Sequence, residues 1–136
     1  MNTSLLLNHP LESSLRAWEI GGSPEKMDAF LDVLLSLTAD HKNIACQVVD
    51  NQVVRVEYQS GNFCDVPLSR ATPKFRAVCA RLSVRLREWT GRDISPYGDE
   101  VEFEHPQTQQ QCIVRFSNTT ACQKIEVRRS GGSSNY

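Results

Sequence analysis

Between residues 10 and 20 the apolar positions recur every three or four residues, which predicts a helix. A proline suits the first helical position of this segment, and Gly21-Gly22 ends it. A second helix is predicted to begin at Ser23, whose hydroxyl can cap the first turn, and to end near Ala39. The apolar stripes of the two helices are Leu11, Leu15 and Trp18, and Met27, Phe30, Leu31, Leu34 and Leu37.

From residue 44 onward the apolar period changes from 3.6 residues to two, which is typical of strands with one buried face. The first two strands are expected to form a hairpin that turns at Asp50-Asn51, and a third follows a turn at 60–62. Pro67 in the third strand indicates a position at the sheet edge. The predicted inward residues are Ile44, Cys46 and Val48, then Val54, Val56 and Tyr58, then Cys64, Val66 and Leu68.

A long helix and a second set of three strands complete the pattern. We expect the helix to open after Thr72-Pro73, with Thr72 as its cap, and to stop at Gly91. Cys122 is out of phase with the last strand, so a bulge or a late strand start is predicted. The helix stripe is Phe75, Val78, Cys79, Leu82, Leu86 and Trp89, and the strands carry Val101 and Phe103, then Cys112, Val114 and Phe116, then Ile125 and Val127.

These elements, in the order α-α-βββ-α-βββ, predict an α+β fold of two layers, in which helices pack on antiparallel β-meanders. The order allows a duplicated α-βββ unit, because the segment 55–61 resembles the segment 124–131 with one residue inserted. We expect a single domain over residues 1–129 and a disordered tail of small polar residues over 130–136.

The composition fits one globular domain. Its 136 residues, 40% of them hydrophobic, can bury a core without a disulfide or a metal. The 15 basic and 16 acidic residues give a net charge of -1, which argues against a polybasic nucleic-acid binder. The first residues lack the basic region of a signal peptide, and no apolar run approaches the ~20 residues of a membrane span. We therefore expect a soluble, cytoplasmic protein with no membrane partner.

Neither the cysteines nor the histidines have the spacing of a metal or redox site. There is no C-x-x-C pair, and His9, His41 and His105 are isolated from one another. Five cysteines in apolar stretches are expected to be reduced thiols in or near the core: Cys46, Cys64, Cys79, Cys112 and Cys122. Carboxylates in a line about 7 Å apart on one strand do not enclose a cation, so we interpret Glu100, Glu102 and Glu104 as a solvated strand face. No metal or cofactor is expected.

No catalytic motif is present, since the chain has neither a G-x-S-x-G elbow nor a glycine-rich phosphate loop. Small α+β enzymes can still assemble catalytic groups from separate elements, so a small enzyme or ligand-binding domain is the alternative function. Its site would lie between helix and sheet, in a deep pocket where His105 converges with Glu104 or Tyr97. The class of any small-molecule ligand stays open.

The charges are unevenly placed along the chain. Residues 70–92 contain seven basic residues and one acidic residue, a balance of +6, whereas residues 93–104 contain five acidic residues and no basic residue, a balance of -5. The basic helix and the acidic strand could neutralise each other within one fold, or the helix could bind an acidic partner or a second copy. Binding to nucleic-acid phosphate is a further alternative, but the remaining 8 basic and 15 acidic residues would repel a polyanion.

The order of one helix, a three-stranded meander, a second helix and more strands is similar to the layout of small bacterial secretion chaperones. This resemblance implies a dimer that binds extended segments of other proteins, although no motif matches and the strongly acidic balance of that group is missing. We predict a non-enzymatic protein-interaction or adaptor module, homodimeric or bound to another protein. The predicted contact residues are Lys74, Arg81 and Arg85 on one side of the long helix, with Glu100, Glu102 and Glu104 as their counterparts.

Overall fold

A computed structural model of the chain describes residues 10–20, 23–37, 43–106 and 108–130. Its elements follow the predicted order of two helices, three strands, one helix and three strands. The helices are α1 (Pro10–Ile20), α2 (Pro24–Ser36) and α3 (Ala71–Thr90). The strands are β1 (Asn43–Asp50), β2 (Val53–Tyr58), β3 (Phe63–Pro67), β4 (Gly98–Glu104), β5 (Gln111–Asn118) and β6 (Gln123–Arg129).

All six strands form one antiparallel sheet in the order β3-β2-β1-β6-β5-β4. The two meanders join where β1 pairs with β6, which sets Cys46 opposite Ile125. Alternate side chains point toward the helices or away from them, because successive residues of a strand face opposite sides of the sheet. The strand that contains Pro67 lies at one edge, as predicted, and β4 lies at the other.

The helices form the second layer on one face of the sheet. Helix α3 packs against β1, β4, β5 and β6, whereas α1 packs on β3 and on α2. The predicted stripe of α3 is buried, and only Trp89 at its end is half-buried. Phe75 of α3 meets Phe30 of α2 edge to face, with 6.3 Å between the ring centroids. The two-layer α+β architecture is therefore confirmed.

The start of α3 differs from the expectation. The helix begins at Ala71, and Arg70 precedes it with φ at 54° and no side-chain capping bond. The backbone N–H of Thr72 donates to Oδ1 of Asn51 at 2.9 Å, and the N–H of Ala71 donates to the carbonyl oxygen of Asn51 at 3.0 Å. The predicted Thr72 cap is wrong, because Asn51 in the turn between β1 and β2 satisfies the first two helical N–H groups, one with its side chain and one with its backbone carbonyl.

The start of α2 follows the sequence closely. Ser23 has an extended backbone, and its Oγ accepts a hydrogen bond from the N–H of Lys26 at 3.2 Å. A proline follows in the first turn, as helix starts favour. The helix ends at Ser36, and the predicted end near Ala39 lies outside the described residues.

The start of the last strand explains why Cys122 is out of phase with the apolar residues of that strand. Strand β6 begins at Gln123, so Cys122 precedes the strand and the predicted late start is confirmed. At the other end Ser130 is buried, and its Oγ donates to Oε2 of Glu102 at 2.9 Å. This serine is therefore packed against the sheet, while residues 131–136 of the predicted tail lie outside the described part.

The sheet order bears on the suggested duplication. The two similar segments lie in β2 and β6, which are the middle strand of one meander and the last strand of the other. The strand that follows a helix also differs in place: β1, the first strand of the first meander, lies at the centre of the sheet, whereas β4, the first strand of the second, lies at its edge. The similar segments therefore have different places in the sheet and are not equivalent parts of a repeated unit.

The cysteines are all free thiols, but they do not all belong to the core. Cys46, Cys79 and Cys112 are buried, Cys64 is half-buried and Cys122 is exposed, so the prediction is wrong for Cys122. Burial raises the pKa of the Cys79 thiol to about 12, which keeps it protonated at neutral pH. In the described parts of the chain, no helix combines the length and apolar character needed to cross a membrane.

Candidate functional site

Helices α2 and α3 are joined along their contact by ion pairs. Asp28 of α2 accepts two hydrogen bonds from Arg81 of α3, from Nε at 2.7 Å and from the terminal nitrogen at 3.0 Å. Arg85 lies one turn further, 2.8 Å from Asp32 and 3.7 Å from Asp28. The hydrogen bond from Arg81 holds the pKa of Asp28 below its usual value, so the carboxylate stays charged. Two of the three predicted basic contact residues thus pair within the helical layer.

Aromatic rings continue this contact toward the end of α3. The guanidinium of Arg85 lies 4.7 Å from the ring centroid of Trp89, and Trp89 stacks on Phe103 of β4 at 5.4 Å. His105 lies against the same indole at 5.8 Å and is buried. Burial lowers the pKa of His105, and the charge of Arg85 lowers it further, whereas Asp32 opposes both. The neutral imidazole is therefore the favoured form in the fold.

The guanidinium groups on the other side of α3 also contact the fold. Nε of Arg76 donates to Oδ1 of Asn118 at 3.0 Å, and Arg87 donates to the carbonyl oxygen of Ile94 at 3.3 Å. Asn118 is buried, and its Nδ2 donates to the carbonyl oxygens of Pro96 and Arg76 at 2.9 and 3.3 Å. These contacts fix α3 against β5 and the loop before β4.

A groove of about 430 Å³ lies between the N-terminal ends of α2 and α3. Its apolar lining consists of Pro24, Met27, Pro73 and Ala77, with Ser23 beside them. Two basic residues, Arg70 and Lys74, complete the lining. The first-turn N–H groups of both helices add partial positive charge, so the groove favours an anionic group beside an apolar one.

The outer face of α3 continues from this groove. Apart from Arg87 and Glu88 near its end, the exposed residues of the helix are Pro73, Ala77, Ala80 and Val84. Solvent-facing surfaces of helices are normally charged or polar. Helix α3 is therefore apolar on its outer face as well as on the face that packs on the sheet.

The three predicted glutamates lie on the far side of the sheet from the helices. Glu100 is 3.7 Å from Arg115 of the adjacent strand β5 and 4.0 Å from Arg128 of β6, one strand further away. Glu102 accepts from Ser130, and Glu104 accepts from Gln111 at 3.4 Å. In the described part of the molecule, the acidic strand thus pairs with its own sheet face. Neutralisation of the basic helix comes instead from α2.

The residues expected at an enzyme site, His105, Glu104 and Tyr97, have different surroundings. His105 packs against Trp89, Glu104 lies on the open sheet face, and Tyr97 is exposed, and none of the three lines the groove between α2 and α3. Within the described residues, which exclude His9 and His41, no three histidine, cysteine or acidic residues are grouped as metal ligands. Shallow depressions of about 330 and 210 Å³ adjoin each other around Asn43 and Glu126 on the open face.

Sequence reasoning missed the acidic partners of α3 and its apolar outer face. Asp28 and Asp32 are four residues apart, as are Arg81 and Arg85, and this matched spacing could have predicted the paired helices. No protein-family model matches the chain, and no curated protein matches it.

Proposed function

We propose that this protein is a non-enzymatic protein-interaction or adaptor module of the cytoplasm, and that it forms a homodimer. Its docking site is the groove between α2 and α3, and the segment that binds there carries an acidic residue next to an apolar one. The observation that supports this function is the pairing of an apolar lining with Arg70 and Lys74 in a groove of about 430 Å³.

The chemistry of the lining selects this kind of segment. An apolar side chain can displace water from Met27 and Ala77, and methionine adapts to partners of different shape. A carboxylate placed beside Lys74 or Arg70 gains a charge-assisted contact at the rim. Apolar contact supplies affinity, and the charges select against basic segments.

The other predicted contact residues take different parts in this proposal. Arg81 and Arg85 hold α2 against α3, so they position the wall of the groove. Glu100, Glu102 and Glu104 belong to a separate surface, because they lie on the opposite face of the sheet. A partner of that surface would therefore not compete for the groove.

A peptide titration tests the groove. The probe is a fluorescein-labelled peptide of alternating Glu and Leu residues, and binding is followed by fluorescence anisotropy at low salt. The double variant Arg70→Glu/Lys74→Glu is expected to weaken binding at least roughly tenfold, because both basic side chains of the groove are reversed. Added salt should weaken binding to the unaltered protein as well.

Two controls make the titration specific. Lys124→Glu reverses one charge on the open sheet face, which is half the charge change of the groove double variant, and should leave binding unchanged. A peptide with Gln in place of Glu should bind weakly to all proteins. Equal binding of the acidic peptide to the unaltered protein and to the groove double variant would contradict the proposed function.

A further inference from the structure

The exposed positions of α3 have the spacing of a helix-to-helix seam. Four apolar or small residues and one arginine follow one another at intervals of four, three, four and three residues: Pro73, Ala77, Ala80, Val84 and Arg87. This alternation is the heptad spacing by which two helices pack along each other. The stripe is continuous with the groove, since Pro73 and Ala77 belong to both.

We propose that a second copy of the chain occupies this surface, with its own α3 packed antiparallel across the first. The inference rests on the proposed function, because it names the segment that fills the same groove. Helix α3 spans Ala71–Thr90, so its midpoint falls between Ala80 and Arg81. A two-fold axis at this midpoint places Ala77 against Val84 of the second copy and sets the two Ala80 residues side by side.

The charges beside the seam agree with this orientation. Lys74, Arg81 and Glu88 recur every seven residues along one side of α3, where Arg81 pairs with Asp28 of α2 and Lys74 lines the groove. Lys74 and Glu88 lie seven residues on either side of Arg81, which is next to the axis, so in the antiparallel pair Lys74 faces Glu88 of the second copy. Arg81 lies next to the axis and therefore faces Arg81 of the second copy. Asp28 of the same chain compensates the positive charge of each Arg81.

The groove therefore receives the kind of segment that its lining selects. Val84 is the apolar residue and Glu88, one turn later, is the acidic residue, and Glu88 is the only acid on α3. Alanine at two central positions lets the helix axes approach closely. The interface is isologous, so each contact occurs twice and the assembly closes as a dimer.

A charge-swap series measured by sedimentation equilibrium tests the dimer. The unaltered protein is expected to be dimeric, and Glu88→Lys and Lys74→Glu should each raise the dissociation constant roughly tenfold, because each change occurs twice in the interface. The double variant Lys74→Glu/Glu88→Lys restores opposite charges and should restore the dimer. Recovery in the double variant distinguishes direct contact from a general loss of stability.

A bulky substitution at the axis gives an independent readout. Ala80 is exposed in the monomer, so an arginine there can be accommodated without unfolding. Ala80→Arg should therefore abolish the dimer while leaving the circular dichroism spectrum unchanged. Its matched control is Ala17→Arg, at an exposed position of α1, and Glu57→Lys on the open sheet face is the charge control. Both controls should stay dimeric.

The outcomes separate this inference from the proposed function. A monomeric unaltered protein at roughly 100 µM, or a double variant as weak as the single ones, overturns the antiparallel dimer. If the monomer still binds the Glu-Leu peptide through Lys74, the docking groove stands without the dimer. If the dimer forms as described but monomeric Ala80→Arg does not bind the peptide, the groove serves self-association alone.

Discussion

Asn118 provides a strong test of how α3 is attached to the sheet. Its side chain is 5% exposed and takes part in three hydrogen bonds, one to Nε of Arg76 and one each to the carbonyl oxygens of Pro96 and Arg76. Replacing it with alanine removes all three and leaves polar groups without their partner. We expect Asn118→Ala to be strongly destabilising.

The magnitude follows from the number of bonds. A hydrogen bond inside a protein contributes about 1 kcal/mol net, so the loss of these three should lower the free energy of unfolding by about 2–3 kcal/mol. Unfolding entropy near 60 °C is about 2.1 cal/mol/K per residue, which for a chain of 136 residues converts this loss to about 7–10 °C in Tm.

Urea unfolding followed by circular dichroism and tryptophan fluorescence measures the change. The slope of the unfolding free energy against urea concentration should be the same for Asn118→Ala and the unaltered protein, because the substitution hardly alters the surface exposed on unfolding. The matched control is Asn62→Ala at an exposed turn, which should change stability by no more than about 0.5 kcal/mol. A loss below 1 kcal/mol for Asn118→Ala would show that the three bonds do not anchor α3.

Two further predictions concern the α3 cap and the buried histidine. Asn51→Ala removes the cap on the N–H of Thr72 and should cost about 1 kcal/mol in urea unfolding, whereas Asn51→Asp, which keeps an acceptor oxygen, should cost much less. Because burial lowers the pKa of His105, the stabilisation from its neutral ring is fully present above pH 6.5. This stabilisation should be lost as pH falls through the lowered value, and the charged groups that face the ring are Asp32 and Arg85. The Tm of His105→Asn should change less between pH 8 and pH 5.5 than the Tm of the unaltered protein. An equal change in Tm for the two proteins would contradict this assignment.

The alternation of apolar residues predicted most of the secondary structure because local periodicity and burial agree in this chain. Period-two stretches with one apolar face became strands whose inward residues are mostly buried, such as Val54 in β2 and Val127 in β6, while Cys64 in β3 is half-buried. Glycine and proline marked the ends, as at Gly91, whose φ of 71° suits a residue without a side chain. Such signals are carried by neighbouring residues and need no knowledge of the fold.

Features that depend on residues far apart in the sequence could not be predicted in the same way. The cap of α3 comes from Asn51, 21 residues earlier, and only chain folding brings that side chain to Thr72. Likewise, the acids that neutralise Arg81 lie on α2, although the sequence placed the nearest acidic cluster immediately after α3. Adjacency along the chain misled here because α3 and β4 present their charges to opposite sides of the sheet.

The sequence by itself determined an α+β chain of nearly zero net charge with an amphipathic basic helix and an acidic strand, since hydrophobic period and charge are local properties. Only the tertiary structure decided which charges meet and which surfaces remain exposed. It joined the two meanders through β1 and β6, paired α2 with α3, and left Ala77, Ala80 and Val84 facing outward. The physical reason is that pairing and exposure depend on distances in space, and packing of the hydrophobic core sets those distances.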